Sequence, residues 1–84
     1  MSREWLDSRP LMRIADIASG VAALTGISVA ELRGQSKEQH IADARHYAFW
    51  LCRENKMSYS FIGKYFNRDH STVMYGVTRV KKGS

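Results

Sequence analysis

The 84-residue chain contains one cysteine, Cys52, and one proline, Pro10. A single thiol excludes an intrachain disulfide, and a reducing, cytoplasmic compartment is the simplest reading. One proline and six glycines leave few breaks in the backbone, which favours a compact helical chain. No apolar run approaches the ~20 residues that a membrane span needs. The N-terminal MSREWLDSRP lacks the apolar core of a signal peptide. Internal repeats and low-complexity segments are missing too. No glycine-rich phosphate loop is present, which argues against nucleotide binding and hydrolysis. His40 and His46 are off one helical face, His70 is distant, and Cys52 falls on an apolar stripe, so no metal spacing exists. Asp69, His70 and Ser71 are the residue types of a hydrolase triad. As consecutive residues at a helix start they point in different directions and cannot form the relay. Neither an enzyme nor a cofactor is expected.

The length suits one small domain with a modest core. At 44% hydrophobic and 25% charged, the composition is that of a globular chain rather than a disordered one. Net charge is +5, and its distribution is uneven. In residues 1–35, Arg3, Arg9, Arg13 and Arg33 cancel Glu4, Asp7, Asp16 and Glu31. Residues 36–84 hold nine basic and four acidic side chains and so carry the whole excess. One-sided positive charge suggests a polyanionic partner on that side.

Residues 1–9 read as a lead-in whose Trp5 and Leu6 are apolar enough to dock on the domain. A first helix is expected from Pro10, a residue favoured at the first helical position. Leu11, Ile14, Ala18, Val21 and Ala22 share one face, with Ile17 and Leu24 at its edge, and Gly26 ends the helix. Ser28-Val29-Ala30-Glu31 is a capping box opening a short second helix, with Leu32 buried and Gly34 as the stop. Ser36-Lys37-Glu38-Gln39 reads as another capping box, starting a third helix that runs to about Asn55. Its inward stripe is Ile41, Ala44, Tyr47, Ala48, Leu51 and Cys52, with Phe49 and Trp50 flanking and Arg45 and His46 beside it, toward a groove edge. Met12, Met57 and Met74 are expected as core or gap-filling residues. The segment Lys81-Lys82-Gly83-Ser84 is expected to be a frayed basic tail.

Between these ends, Ser58–Val80 has the form of a helix-turn-helix. Ser58 caps a helix carrying Phe61, Ile62, Tyr65 and Phe66, and Gly63 inside it suggests a close approach of the following helix. Asn67-Arg68-Asp69 forms the corner. Asp69 can cap a second helix that opens His70-Ser71-Thr72 and continues through Val73, Met74, Val77 and Val80. A recognition helix directs its first turn at base edges, and that turn is the positive end of its dipole. Asp69 can accept from a cytosine amino group, His70 can donate to a purine, and Ser71 and Thr72 can bond bases or phosphate. Lys64, Arg68, Arg79 and Arg45 supply backbone charge contacts. The chain thus reads as all-α, with five helices and a helix-turn-helix over residues 10–80.

Residues 68–73, RDHSTV, closely resemble the RDHTTV signature of the C-terminal DNA-binding domain of the DnaA family of bacterial replication initiators. The likeness extends to Ser58–Phe66 (S-x-x-x-IG-x-x-F), to residues 42–51, ADARHYAFWL (ARQ-x-AMYL), and to residues 26–32, GISVAEL (GISVEDL), and so covers roughly residues 12–80. The resemblance implies a Trp repressor/DnaA C-terminal-like fold and duplex DNA as partner, at a site like an initiator box. It implies base reading by Asp69, His70 and Ser71, and phosphate contacts by Thr72, Arg45, His46 and Arg79. Lys64 and Arg68 join the phosphate set by charge. Two departures stand out. Only Asn67 separates Phe66 from Arg68, where the family has a glycine pair. The family's basic loop before the third helix, which reaches the minor groove, is here Gly34–His40, with Lys37 and His40 as its cationic candidates. Lower affinity is expected from that loop. The family usually continues to a last helix beyond this chain's end, and Trp5 and Leu6 are expected to cover that face. No ATPase module is present, so origin assembly and melting are not expected of these residues. The resemblance implies a regulator of replication initiation or transcription. A lone helix-turn-helix binds weakly, so a homodimer or a protein partner is expected. The other reading is a protein-interaction module presenting Trp5, Phe49 and Trp50.

Overall fold

The computed structural model describes residues 13–83, which form five α-helices and, among the described residues, no strand. They are α1 (Ile14–Thr25), α2 (Val29–Arg33), α3 (Gln39–Glu54), α4 (Tyr59–Phe66) and α5 (His70–Gly83). None is long and apolar enough to cross a membrane. Pro10, Trp5, Leu6 and Met12 lie outside the described residues. Arg13 is extended (φ −79°, ψ 150°), so α1 begins at Ile14 and not at Pro10. Gly26 closes it as expected, in the left-handed region at φ 76°, with its N–H donating to the Ala22 carbonyl. Both arms of the Ser28 capping box are made: Glu31 N–H donates to Ser28 Oγ at 3.0 Å, and Ser28 N–H to Glu31 Oε1 at 2.9 Å. Those bonds hold the Glu31 carboxyl below its ordinary value.

The second expected box does not form. Ser36 Oγ accepts from Glu38 N–H at 3.2 Å, two residues on, and Glu38 is the extended residue that precedes α3. A serine bonded two residues ahead makes a local turn, which competes with capping and delays the helix start.

The amphipathic stripe of α3 places it at the centre, where it touches the other four helices. Its Ile41, Ala44, Ala48, Phe49 and Cys52 are buried, and Ile17, Val21, Leu32, Ile62, Phe66 and Val73 pack around them. Phe49, expected on the flank, is fully buried and meets Phe66 edge-on at 5.3 Å between ring centroids. Burial pushes the Cys52 thiol up to about 12, so it stays neutral and inert. Met74 is 44% exposed and so is not a core residue. The crossing of α3 and α5 depends on Gly76, where a Cβ would sit 2.7 Å from both His46 Cδ2 and Phe49 Cδ2. Helix α5 continues through Lys81, Lys82 and Gly83, so those residues are helical rather than frayed.

Candidate nucleic-acid interface

The corner between α4 and α5 is built by backbone geometry first. Ser58 caps α4 through Phe61 N–H. Asn67 ends that helix in the left-handed region (φ 59°, ψ 45°), which asparagine tolerates better than most residues. Its N–H and that of Arg68 both donate to the Gly63 carbonyl. Gly63 is required because a Cβ there would strike the Arg68 carbonyl oxygen. The close approach inferred from sequence is therefore real, but the neighbour is the turn itself. One left-handed residue suffices to reverse the chain here, and Asn67 supplies it.

The corner is then tied to the α2–α3 loop. Asn67 Nδ2 donates to the Arg33 carbonyl at 3.1 Å, and Arg33 Nε donates back to the Tyr65 carbonyl at 2.7 Å with its guanidinium 4.4 Å above the Tyr65 ring. Arg68 Nη2 donates to the Gly34 carbonyl at 2.7 Å and Nη1 to the Phe66 carbonyl at 3.0 Å. From below, Arg45 Nε donates to the Leu32 carbonyl at 2.7 Å, and its Nη2 reaches the carbonyls of Glu31, Gly34 and Ser36. Arg45 is 4% exposed. This corrects its expected place as a free cation at a groove edge: its bonded donors hold the loop that precedes α3. Burial, with the nearby Arg68 charge second, pulls its guanidinium below the usual arginine value, though arginine remains charged. Arg68 is half-buried and partly committed to the carbonyls of Phe66, Asn67 and Gly34, which leaves part of its five-donor guanidinium unspent.

Above this frame, the start of α5 faces solvent. Asp69, His70, Ser71 and Thr72 are all exposed. The Asp69 carbonyl accepts from Val73 N–H at 3.2 Å, so Asp69 occupies the capping position. Its carboxylate caps nothing, contrary to expectation, and none of the four side chains hydrogen-bonds to another described residue. Further along, Val73, Gly76 and Val77 face the core, while Ser71, Tyr75, Thr78 and Lys82 form the outer stripe at helical spacing. Lys64 is exposed on α4, and Lys37 and His40 are exposed on the loop side, His40 being 3.7 Å from Glu38.

His46 is less free than sequence suggested. It lies half-buried against Phe49 and meets the Tyr75 ring edge-on at 6.0 Å. Burial, helped by Arg79, Arg45 and Arg68 against the opposing pull of Asp43, lowers its pKa. Tyr75 is a residue that sequence reading passed over. It is 57% exposed, and Arg79 Nη1 donates to its phenol oxygen at 3.3 Å. Its position four residues after Ser71 was the available signal.

No lysine or arginine among the described residues forms an ion pair with a carboxylate. The positive charge around the corner is therefore not neutralised internally, as befits a surface for an anionic partner. The third residue of the interaction-module reading, Trp50, is half-buried, and with Phe49 in the core no exposed aromatic pair exists on α3.

Comparison with known proteins agrees with this geometry. The bacterial dnaA protein helix-turn-helix family matches residues 14–80. A chromosomal replication initiator protein DnaA of Clavibacter sepedonicus is 40% identical over 77 residues, which cover 89% of this chain and 16% of that protein. The one of Mycobacteroides abscessus is 43% identical over 68 residues, 80% of this chain and 14% of that protein. The chain thus spans about one-sixth of the length of the curated relatives it matches. By its helical order, its left-handed corner and this match over most of its length, the chain belongs to the bacterial DnaA helix-turn-helix family of DNA-binding modules.

Proposed function

We propose that this chain reads duplex DNA sequence-specifically by placing the first turn of α5 in the major groove. The observation that carries the reading is the row Asp69, His70, Ser71, Thr72: four exposed polar side chains, none spent within the fold, on a helix start held rigidly by the corner. Asp69, His70 and Ser71 read base edges, and Thr72 bonds the backbone. Lys64, Arg68 and Arg79 position the module on phosphates, with His46 beside them, and Lys37 and His40 lie toward the minor groove. Arg45 acts through the loop it holds. The relatives' initiator role supports a site of initiator-box type and a part in replication initiation or its regulation.

Selection of preferred duplexes from a random pool tests the reading, followed by titration of the best and a scrambled duplex at fixed salt. His70→Ala or Asp69→Ala should lose about 1–3 kcal/mol of discrimination between them. An unchanged ratio for both variants would rule out base reading by this turn.

A further inference from the structure

We propose that Tyr75 is a DNA-backbone contact, its phenol hydroxyl donating to the phosphate that Arg79 faces; this rests on the groove placement of α5 given above. The hydroxyl is already an acceptor for Arg79 Nη1 at 3.3 Å. A phenol has one proton, and accepting from a guanidinium leaves that proton free and makes it a better donor. The ring face is engaged only weakly, since the Arg79 guanidinium carbon lies over it at 5.9 Å from the centroid, near the outer limit for a cation over an aromatic face. The result is a charged donor and a neutral donor side by side, a pair suited to grip an anionic oxygen.

The ring is also braced, which a contact residue needs. His46 meets it edge-on at an interplanar angle of 85°, and Gly76 lets α3 come close enough for that contact. Bracing reduces the rotamer entropy lost on binding. Along α5, Tyr75 follows Ser71 by four residues and precedes Lys82 by seven, so all three share the outer stripe. Thr78, on the same stripe, has spent its hydroxyl on the Met74 carbonyl at 2.9 Å. Tyr75 is therefore the residue in the second turn with a donor to offer. An open groove bordered by Tyr75, Thr78, Arg79 and Lys82 gives a strand room to pass.

The test uses the full chain and an end-labelled, mixed-sequence duplex of about two helical turns at low salt, beside the duplex recovered by selection. Tyr75→Phe keeps the ring and its bracing and removes only the hydroxyl. It should weaken binding to both duplexes by about ten- to hundredfold, as loss of a hydrogen bond to a charged group does, with the thermal midpoint unchanged. In an Arg79→Ala background the same change should have less effect, because both groups hold one phosphate. Wild-type affinity for Tyr75→Phe overturns the inference; if His70→Ala still loses sequence preference, the base-reading turn stands. A loss confined to the selected duplex overturns the phosphate assignment in favour of a base contact. Failure of the unmodified chain to bind either duplex overturns this inference and the reading beneath it.

Discussion

His46 shows at single-residue scale how a side chain offered to DNA by sequence is partly claimed by the fold. It packs between Phe49 and Tyr75, and burial disfavours its charged form. The unfolded chain therefore binds a proton more readily than the folded one. The consequence has a definite sign: stability is full above about pH 6.5, the ordinary histidine value, and falls as pH drops through the lowered native value. The thermal midpoint should decline on that acid side, and His46→Asn should flatten the decline. An equal slope in the variant would show that another group carries it. Neither the neighbours of His46 nor the orientation of Tyr75 was legible in the sequence, because both follow from Gly76 admitting α3 across α5. The exposed row from Asp69 to Thr72 was legible, because four consecutive polar residues precede the first apolar position of the helix, Val73.

At the scale of elements, the α4–α5 corner and the α2–α3 loop act as one unit, joined by donors from Arg33, Arg45, Asn67 and Arg68. Five helices, the Ser28 box and the Gly26 stop could be read from local patterns, since each depends on residues within four positions. The ties between loop and corner span 34 positions in the cases of Asn67 and Arg68, and no periodicity encodes them. Arg45 was misplaced for that reason: on the helix alone it looks like an edge cation, and only the returning loop supplies its carbonyls. Arg45→Met should lower stability by about 2–4 kcal/mol in urea unfolding, because buried carbonyls lose their donor. Asn67→Gly keeps the left-handed turn and loses one hydrogen bond, at about 1 kcal/mol. Asn67→Val should cost more, since a β-branched residue resists φ 59°. Equal losses for the two Asn67 variants would refute the conformational argument for the shortened corner.

For the whole molecule, charge sets how strongly the module holds any duplex, and the corner sets which duplex it prefers. The sequence placed all of the +5 after residue 35, and the fold leaves those cations without carboxylate partners while spending Arg45 internally. Lys64, Arg68 and Arg79, with Lys37 on the loop, remain to meet phosphates. Each phosphate neutralised contributes about −0.9 to the slope of log affinity against log salt. Three or four contacts therefore predict a slope of about −2.7 to −3.6, or a loss of roughly 40- to 150-fold between 50 and 200 mM monovalent salt. Lys64→Ala should reduce the slope by about 1 for the selected and the scrambled duplex alike, because a phosphate contact carries no sequence information. Tyr75→Phe should leave the slope unchanged, since no charge is lost. Titrations of the three proteins over that salt range separate charge from hydrogen bonding. A wild-type slope near zero would mean that the exposed cations meet no phosphates, and that the anionic partner inferred from their placement is not duplex DNA.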